Sequence, residues 1–378
     1  MAEPAVRRSH FELFQPVCPV CRDSVSAPGA PLKLVRVLKE EDEQIIEGLV
    51  GCPNSSCQRE YPIIDGIPLL IAGLRNYIAG SISSIHARDD LHPVTLSVLG
   101  DCCGPGSTLD VTRQLLSSFG GDHYGEFFPG TAVRAVNDGT SVGNSNSNAS
   151  TTTGQVVSLL AHLESLAPPV APGPLLDVGC GPGRSTFELA RSTARPVLGV
   201  DMNYALLRMA AKVLRTGVAE YPVRRGGVVY EQRRHSVDLP HAELVDFWAC
   251  DATALPLPPG SLGRIVGLNV LDSVASPLAL LASLSQALPP EGHLLLACPY
   301  DWTSAVTPLE QWLGGHSQRS TFEGDSATLL RKLLTPGDPL QMQTGLKLLA
   351  ESDGFEWQLR LHSRSVTRYQ VHAIVAGK

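Results

Sequence analysis

The chain has no apolar run approaching the roughly 18 residues that a membrane-spanning helix requires. Its opening residues, MAEPAVRRSH, carry two arginines with no apolar stretch behind them. That pattern gives no secretory signal, so a cytoplasmic protein with no membrane partner is expected. An excess of positive charge is also missing. Against 30 Lys and Arg stand 37 Asp and Glu, a net charge of -7, which argues against nonspecific phosphate binding as the main activity. A local basic patch of Arg224, Arg225, Arg233 and Arg234 is read as a solvated face of an insert-like stretch. No internal repeat is present. What is there is the composition of a globular protein, 43% hydrophobic and 18% charged. At 378 residues it suffices for one large domain and a small one. Nine cysteines without a signal suit a reducing compartment, where paired cysteines mean metal more often than disulfide.

Three stretches differ in character. Residues 1–75 hold two cysteine pairs and short β-like runs. Residues 76–165 mix helical patterns with a polar break, Asn137 to Gly154, that is almost all Gly, Ser, Asn and Thr and is expected to be a flexible loop. From residue 166 to 378, apolar runs alternate with helical patterns, as in an α/β sheet covered by helices. Strands are expected at Leu175–Val178, Pro196–Val200, Asp246–Ala249, Ile265–Leu268 and His293–Ala297. Phe355–His362 and Tyr369–Val375 read as a final antiparallel pair. Helices are expected at Ser185–Ser192 and Tyr204–Leu214. The sum is a doubly wound, Rossmann-like sheet with a terminal antiparallel hairpin and a small N-terminal unit.

Within Leu175 to Gly183 (LLDVGCGPG), Gly179, Gly181 and Gly183 follow a buried strand and precede a helix. Glycine permits a tight turn and close approach of a ligand to the backbone, and the helix offers its first amides. Such a turn alone also suits a dinucleotide enzyme. Its companions narrow it. Asp177 stands just before the glycines, Asp201 ends the next strand with Met202 beside it, and Asp251 with Ala252 follows the third. Arg184 breaks the G-x-G-x-x-G spacing of a dinucleotide site. As a set, over residues 166–300, these resemble class I methyltransferases that use S-adenosylmethionine. The resemblance implies that Gly179 to Gly183 pass the methionine part, Asp201 holds the ribose, and Asp251 and Ala252 hold the adenine.

The fourth strand runs into LNVLDSVASPL, with Asn269 and Asp272 three apart at its C-terminal end. An amide and a carboxylate beside a methyl donor suit a nitrogen nucleophile with a second N–H, such as imidazole. The carboxylate would fix the tautomer and stabilise the charge formed on transfer. Asp272 as a mere helix cap is the competing reading.

LNVLDSVASPLALL resembles the N-L-L-D-R-C segment of DREV-type protein-histidine N-methyltransferases, in which the Asn and Asp address the imidazole. CPYDWTSAVTPLEQWLGG resembles the methyltransferase domain of ovothiol-synthesising enzymes, which methylates the imidazole of 4-mercaptohistidine. Tyr300, Trp302, Thr307, Pro308, Glu310, Trp312, Leu313, Gly314 and Gly315 carry this match, and GRSTFELA and HYGEF add to it. The iron-dependent sulfoxide synthase region of the full ovothiol enzyme has no counterpart here, so the acceptor is open between free histidine, a thiohistidine, another small imidazole and a peptide histidine, the small acceptor being favoured. The resemblance implies that Asn269 and Asp272 orient the acceptor, with Asn269 also near the cofactor. Tyr300 and Trp302 would wall the pocket. His123 and Tyr124 would close over the cofactor, and Tyr369 with Arg368 would reach an acceptor carboxylate. For each aromatic, core packing is the competing reading.

Near the N-terminus, Cys18 and Cys21 form C-x2-C, and Cys52 and Cys57 form C-x4-C. Two such pairs can place four thiolates around a tetrahedral Zn2+. The following REYPIIDGIPLLI resembles the tail of Trm112-like zinc ribbons, over residues 14–72; the second pair is wider than the usual knuckle. That resemblance implies a structural metal unit and, in its family, contact with methyltransferase partners. A protein partner through the ribbon is therefore possible, whereas nucleic acid is disfavoured by the acidic balance. Glu40 to Glu43 between the pairs read as a solvated loop. Cys180, Cys250 and Cys298 read as small buried hydrophobes, and the adjacent Cys102 and Cys103 cannot form an ordinary bridge with each other. The expectation is an imidazole N-methyltransferase with an N-terminal zinc ribbon. A protein or RNA methyltransferase guided by the ribbon, and an inactive methyltransferase-like scaffold, are the alternatives.

Overall fold

The computed structural model describes residues 6–22, 29–41, 44–74, 76–77, 81, 103–128 and 154–378. The polar break at 137–153 and Cys102 lie outside these residues.

In chain order, β1 (Val6–Arg7) leads into α1 (Arg8–Phe14), followed by β2 (Lys33–Glu41), β3 (Gln44–Gly51), β4 (Glu60–Ile64) and β5 (Ile67–Leu70). Then come α2 (Thr108–Tyr124) and α3 (Gln155–Leu166). The βα alternation begins with β6 (Leu175–Val178), α4 (Arg184–Thr193), β7 (Val197–Asp201) and α5 (Tyr204–Thr216). A hairpin, β8 (Val218–Gly226) and β9 (Val229–Ser236), precedes β10 (Val245–Cys250) and β11 (Arg264–Leu268). α6 (Pro277–Ala287), β12 (His293–Cys298), α7 (Ser326–Leu333), β13 (Lys347–His362) and β14 (Ser365–Gly377) complete it. Among the described residues no helix is long and apolar enough to cross a membrane.

The central order is β10-β7-β6-β11-β12-β14-β13, parallel from β10 to β12 and antiparallel at β14 and β13. Parallel strands covered on both faces are apolar throughout, and β6 and β10 are buried at every residue. Strand order reverses between β6 and β11, so the loops after these two strands face each other across a crevice, where ligands of open α/β sheets bind. The apolar positions divide into two clusters, one on each sheet face.

The N-terminal strands are not a detached unit. β5 pairs in parallel with β10, Leu69 opposite Ala249, and so extends the central sheet. On one face of this junction, Phe11 and Phe14 of α1 pack on Trp248, with ring centroids 6.2 and 5.7 Å away. Burying each such side chain contributes about 1.5–3 kcal/mol. Asp246 accepts from the Arg7 backbone N–H and contacts His10 Nδ1, both at 3.1 Å. The boundary expected near residue 75 thus coincides with no break in sheet hydrogen bonding.

Two other expectations change. Glu40 and Glu41 belong to β2 rather than to a loop, and Glu40 pairs with Arg8 at 3.2 Å. The insert-like basic stretch is the β8–β9 hairpin. Its charges are largely matched locally: Arg225 and Arg233 both meet Glu231, and Arg224 donates to Gly227 O and Gln114 Oε1. α2 packs on the hairpin so closely that a Cβ at Gly120 would stand 2.6 Å from the Tyr221 ring.

Candidate active site

The loop after β6 is built from its own chain. Gly179, Gly181 and Gly183 have φ of 69°, 52° and 88°, a region that favours glycine. At Gly183 a Cβ would also lie 2.5 Å from the Phe247 ring. Asp177 is fully buried and accepts from Ser185 Oγ and Thr186 Oγ1, each at 2.7 Å, from the first turn of α4. Burial pushes its carboxyl up to about 6 against those two hydrogen bonds. Asp201 accepts from the Gly181 N–H at 2.9 Å and the Asn203 N–H at 2.7 Å, which ties the glycine turn to the end of β7. A carboxylate has room for further donors beyond two, and Asp201 stands at the crevice edge where ribose hydroxyls bind in such folds.

His123 and Tyr124 lie behind the glycine turn. The Arg184 backbone N–H donates to His123 Nδ1 at 3.1 Å, so this imidazole caps an open amide of α4. Burial and the nearby Arg184 guanidinium hold its pKa down to about 3, leaving it neutral with Nε2 as the donor. Nε2 lies 3.5 Å from where a Gly181 Cβ would be, so the ring faces the turn. Tyr124 is fully buried and donates to Pro182 O at 2.8 Å. It props the turn from behind.

Asp251 uses one oxygen to cap the 3₁₀ turn Ala252–Ala254, accepting from Thr253 N and Oγ1 at 2.9 and 2.6 Å. Ala252 is nearly buried and Met202 is 43% exposed. Tyr77, which no motif marked, donates from its hydroxyl to Met202 O at 2.9 Å. Asp201 and Cys250 are its electrostatic neighbours, so it sits between the two loops assigned to the nucleoside.

The loop after β11 differs. Asn269 has φ 54°, and its buried Oδ1 has no hydrogen-bond partner among the described residues. Asp272 is buried and accepts from the Asp301 N–H at 2.7 Å and from Ser273 Oγ at 3.3 Å. Burial pushes its carboxyl up. It is not the cap of α6, whose N-cap is Ser276, so the competing reading of Asp272 falls. Thr307, fully buried, locks the loop by donating to Asp272 O and Val274 O at 3.2 and 2.7 Å.

Around Asp272 the aromatic residues take distinct places. The Tyr369 hydroxyl donates to Asp301 Oδ2 at 3.0 Å, and its ring stacks on Trp357 with centroids 5.1 Å apart. The Trp357 indole in turn meets Asp122 at 3.2 Å. Burial pushes the Asp122 carboxyl up to about 7. Trp302 stacks on Trp312 and donates to Ser326 Oγ at 2.9 Å, which makes it a packing residue of its loop. The Tyr300 hydroxyl meets His372 Nδ1 at 2.7 Å. Arg368 is exposed and, next to Tyr369 on β14, lies on the opposite sheet face. Asp122, Trp357 and His372 carried no sequence motif, and Asp301, inside the CPYDW stretch, had been given no role. The signal for Ser185 and Thr186, two hydroxyls opening a helix after a glycine turn, was present and unread.

The four N-terminal sulfurs converge. Cys18, Cys21, Cys52 and Cys57 have their Sγ atoms all within 4.8 Å of one another, with Cys18–Cys57 at 3.7 Å and Cys21–Cys52 at 3.6 Å. Tetrahedral thiolates about 2.3 Å from zinc stand about 3.8 Å apart, so the donor set fits that ion. Tyr61 Oη lies 3.2 Å from Cys18 Sγ, and Asn54 Nδ2 donates to Cys21 Sγ at 3.4 Å, outer contacts suited to thiolates. The wider C-x4-C spacing therefore still closes the site. Cys180, Cys250 and Cys298 are buried, as read, and burial pushes the Cys180 thiol well up, away from nucleophilic use.

The reversed strand order, the glycine turn and the carboxylates at successive strand ends describe a cofactor crevice. Residues 155–334 match the family model described as a methyltransferase domain, Methyltransf_23. The chain has the α/β, Rossmann-like methyltransferase fold with a mixed sheet. Among curated proteins a search finds no match. Among solved structures, a chain of the Haloferax volcanii complex between the Trm112 methyltransferase activator and the putative methyltransferase is 14% identical. It covers 58% of this chain and 87% of that one, with a TM-score of 0.36. Geranyl diphosphate C-methyltransferase from Streptomyces coelicolor is 13% identical, covering 58% and 76%, with a TM-score of 0.36. Haemonchus contortus phosphoethanolamine N-methyltransferase 2 is 14% identical, covering 58% and 52%, with a TM-score of 0.34. Likeness at this level bears on neither acceptor nor partner.

Proposed function

We propose that the methyl acceptor is an imidazole nitrogen of histidine or a histidine derivative, with a small thiohistidine-like molecule preferred. The observation that carries this reading is the pairing, on one loop at the crevice, of a buried carboxylate with a buried amide oxygen that has no partner among the described residues. Leaving such an oxygen unpaired costs about 1–3 kcal/mol, which a second N–H of the ligand, such as that of a histidine α-amino group, would recover beside the ring N–H taken by Asp272. Imidazole offers one N–H and one lone pair on opposite sides of a small ring, with a pKa near 6.5 that leaves it largely neutral at pH 7.

S-adenosylmethionine, held by Asp201, Asp251 and the glycine turn, supplies an electrophilic methyl on sulfur. Asp272 accepts the ring N–H, turns the other nitrogen toward the crevice and offsets the positive charge that develops on the ring. The Asp301 N–H and Thr307 hold the Asp272 loop rigid, so positioning supplies much of the rate. The N-terminal cysteines hold a structural zinc whose unit braces the sheet edge and could also receive a protein partner.

The test is methyl transfer measured on a panel of histidine, thiohistidines, N-acylated and peptide histidines, and RNA. Transfer to a small imidazole supports the reading. Transfer only to RNA, or to none with no cofactor bound in calorimetry, rejects it in favour of a nucleic-acid enzyme or a scaffold.

A further inference from the structure

We infer that His372 is a positioning residue for Asp272, acting through Tyr300 and the turn after β12; the inference rests on Asp272 being the carboxylate that orients the acceptor. Tyr300 has φ 57°. In that left-handed region a bulky aromatic is strained, so surrounding contacts must hold it there. Its hydroxyl is fixed on His372 Nδ1 at 2.7 Å. His372 is 2% exposed, and its Nε2 lies 2.9 Å from Glu351 Oε2. Glu351 in turn accepts from Arg331 Nε of α7 at 2.8 Å. An ionised Glu351 only accepts, so His372 donates from Nε2 and receives the Tyr300 O–H on Nδ1. β13, β14 and α7 thereby combine to set one side-chain position.

The consequence appears one residue later. Asp301 presents its N–H to Asp272 Oδ2 at 2.7 Å, the shortest contact that carboxylate makes. If Tyr300 left its left-handed conformation, the Asp301 amide would turn away. From the opposite sheet face, three residues from His372 on β14, Tyr369 holds the same turn through Asp301 Oδ2 at 3.0 Å. The turn is therefore gripped from both faces, and neither grip touches the glycine loop. The Cys298 thiol and the Tyr369 hydroxyl are titratable groups that act on Asp272.

The experiment uses the full zinc-loaded chain and the variants His372→Phe, Tyr300→Phe and His372→Gln. NMR follows the Asp301 amide proton and the carboxyl 13C titration of Asp272, with no acceptor present. In His372→Phe and in the milder Tyr300→Phe, the amide is expected to lose its hydrogen-bonded downfield shift, and Asp272 to titrate at higher pH. With a methylated acceptor in hand, kcat falls about tenfold, the worth of one hydrogen bond, while KM holds. His372→Gln, which can still receive the Tyr300 hydroxyl, restores most of both. An unchanged Asp301 amide and Asp272 titration in both Phe variants would overturn the inference. If the NMR changes appear but no imidazole is methylated, the positioning stands and the acceptor reading falls alone.

Discussion

The loop after β6 and the loop after β11 face each other across one crevice, and each holds a buried carboxylate, yet they are built on different logics. Asp177 is answered by two hydroxyls from the helix that follows it, and Asp201 by two backbone amides, so the cofactor side is satisfied by the protein itself. The β11 side keeps an amide oxygen without a partner among the described residues, and its carboxylate accepts an N–H from a distant turn. The first loop is a support that exists before any ligand arrives. On the proposed reading, the second is completed by what it binds, and selectivity between acceptors resides there.

The largest expected effect tests that division at Asp272. Asp272→Asn should lower kcat on the imidazole acceptor by about 10²- to 10⁴-fold, while calorimetry finds S-adenosylmethionine affinity within about twofold of the wild type. An equal loss of cofactor binding would break the comparison. On the other loop, Asp201→Ala should weaken the cofactor about 10- to 100-fold, the worth of charge-assisted hydrogen bonds, and leave kcat at saturating cofactor largely intact.

A third effect is pH-dependent. Asp177 titrates at about 6 in the folded chain against 3.8 when exposed, so the folded state binds the extra proton between these values. Its stability contribution is full below about pH 4 and is lost as pH rises through about 6. Denaturant midpoints should fall over that window by the equivalent of about 2–3 kcal/mol, and Asp177→Asn should flatten the fall. A fall of the same size in the variant would assign it to another group. The smallest effect is at Asn269. Asn269→Gly keeps the positive φ and removes the unpaired oxygen, so ligand-free stability should hold or rise by up to about 1 kcal/mol as turnover on imidazole drops. A clear loss of stability would show that Asn269 is a support like Asp177.

The two sides were also unequally legible. Leu175–Val178 was found to the residue because a fully buried strand and a glycine turn are local signals. Asp201 and Asp251 followed because each comes at the end of an apolar run that reads as a buried strand. Asn269 and Asp272 were visible as a pair on one loop, but their surroundings were not. Asp301, His372 and Trp357 reach the site from strands and turns far along the chain, and only tertiary folding brings them together. The β8–β9 hairpin was overlooked because its polar outer surface gives a weak alternating pattern. The continuity of β5 with β10 was hidden for the same reason as His372, since pairing between distant segments leaves no mark at either one.

That pairing has a consequence in time. β5 is synthesised long before its partner, for Leu69 must wait for Ala249. Loop closure over such a span is slow, and contacts of this kind form late in folding. In the interval the N-terminal strands present an apolar face and an open edge, a state prone to pairing with the wrong chain. Four cysteines drawn from within residues 18–57 can bind their ion as soon as they emerge and hold this segment in register. Metal supply during synthesis would then govern the yield of folded chain more than the stability of the finished one.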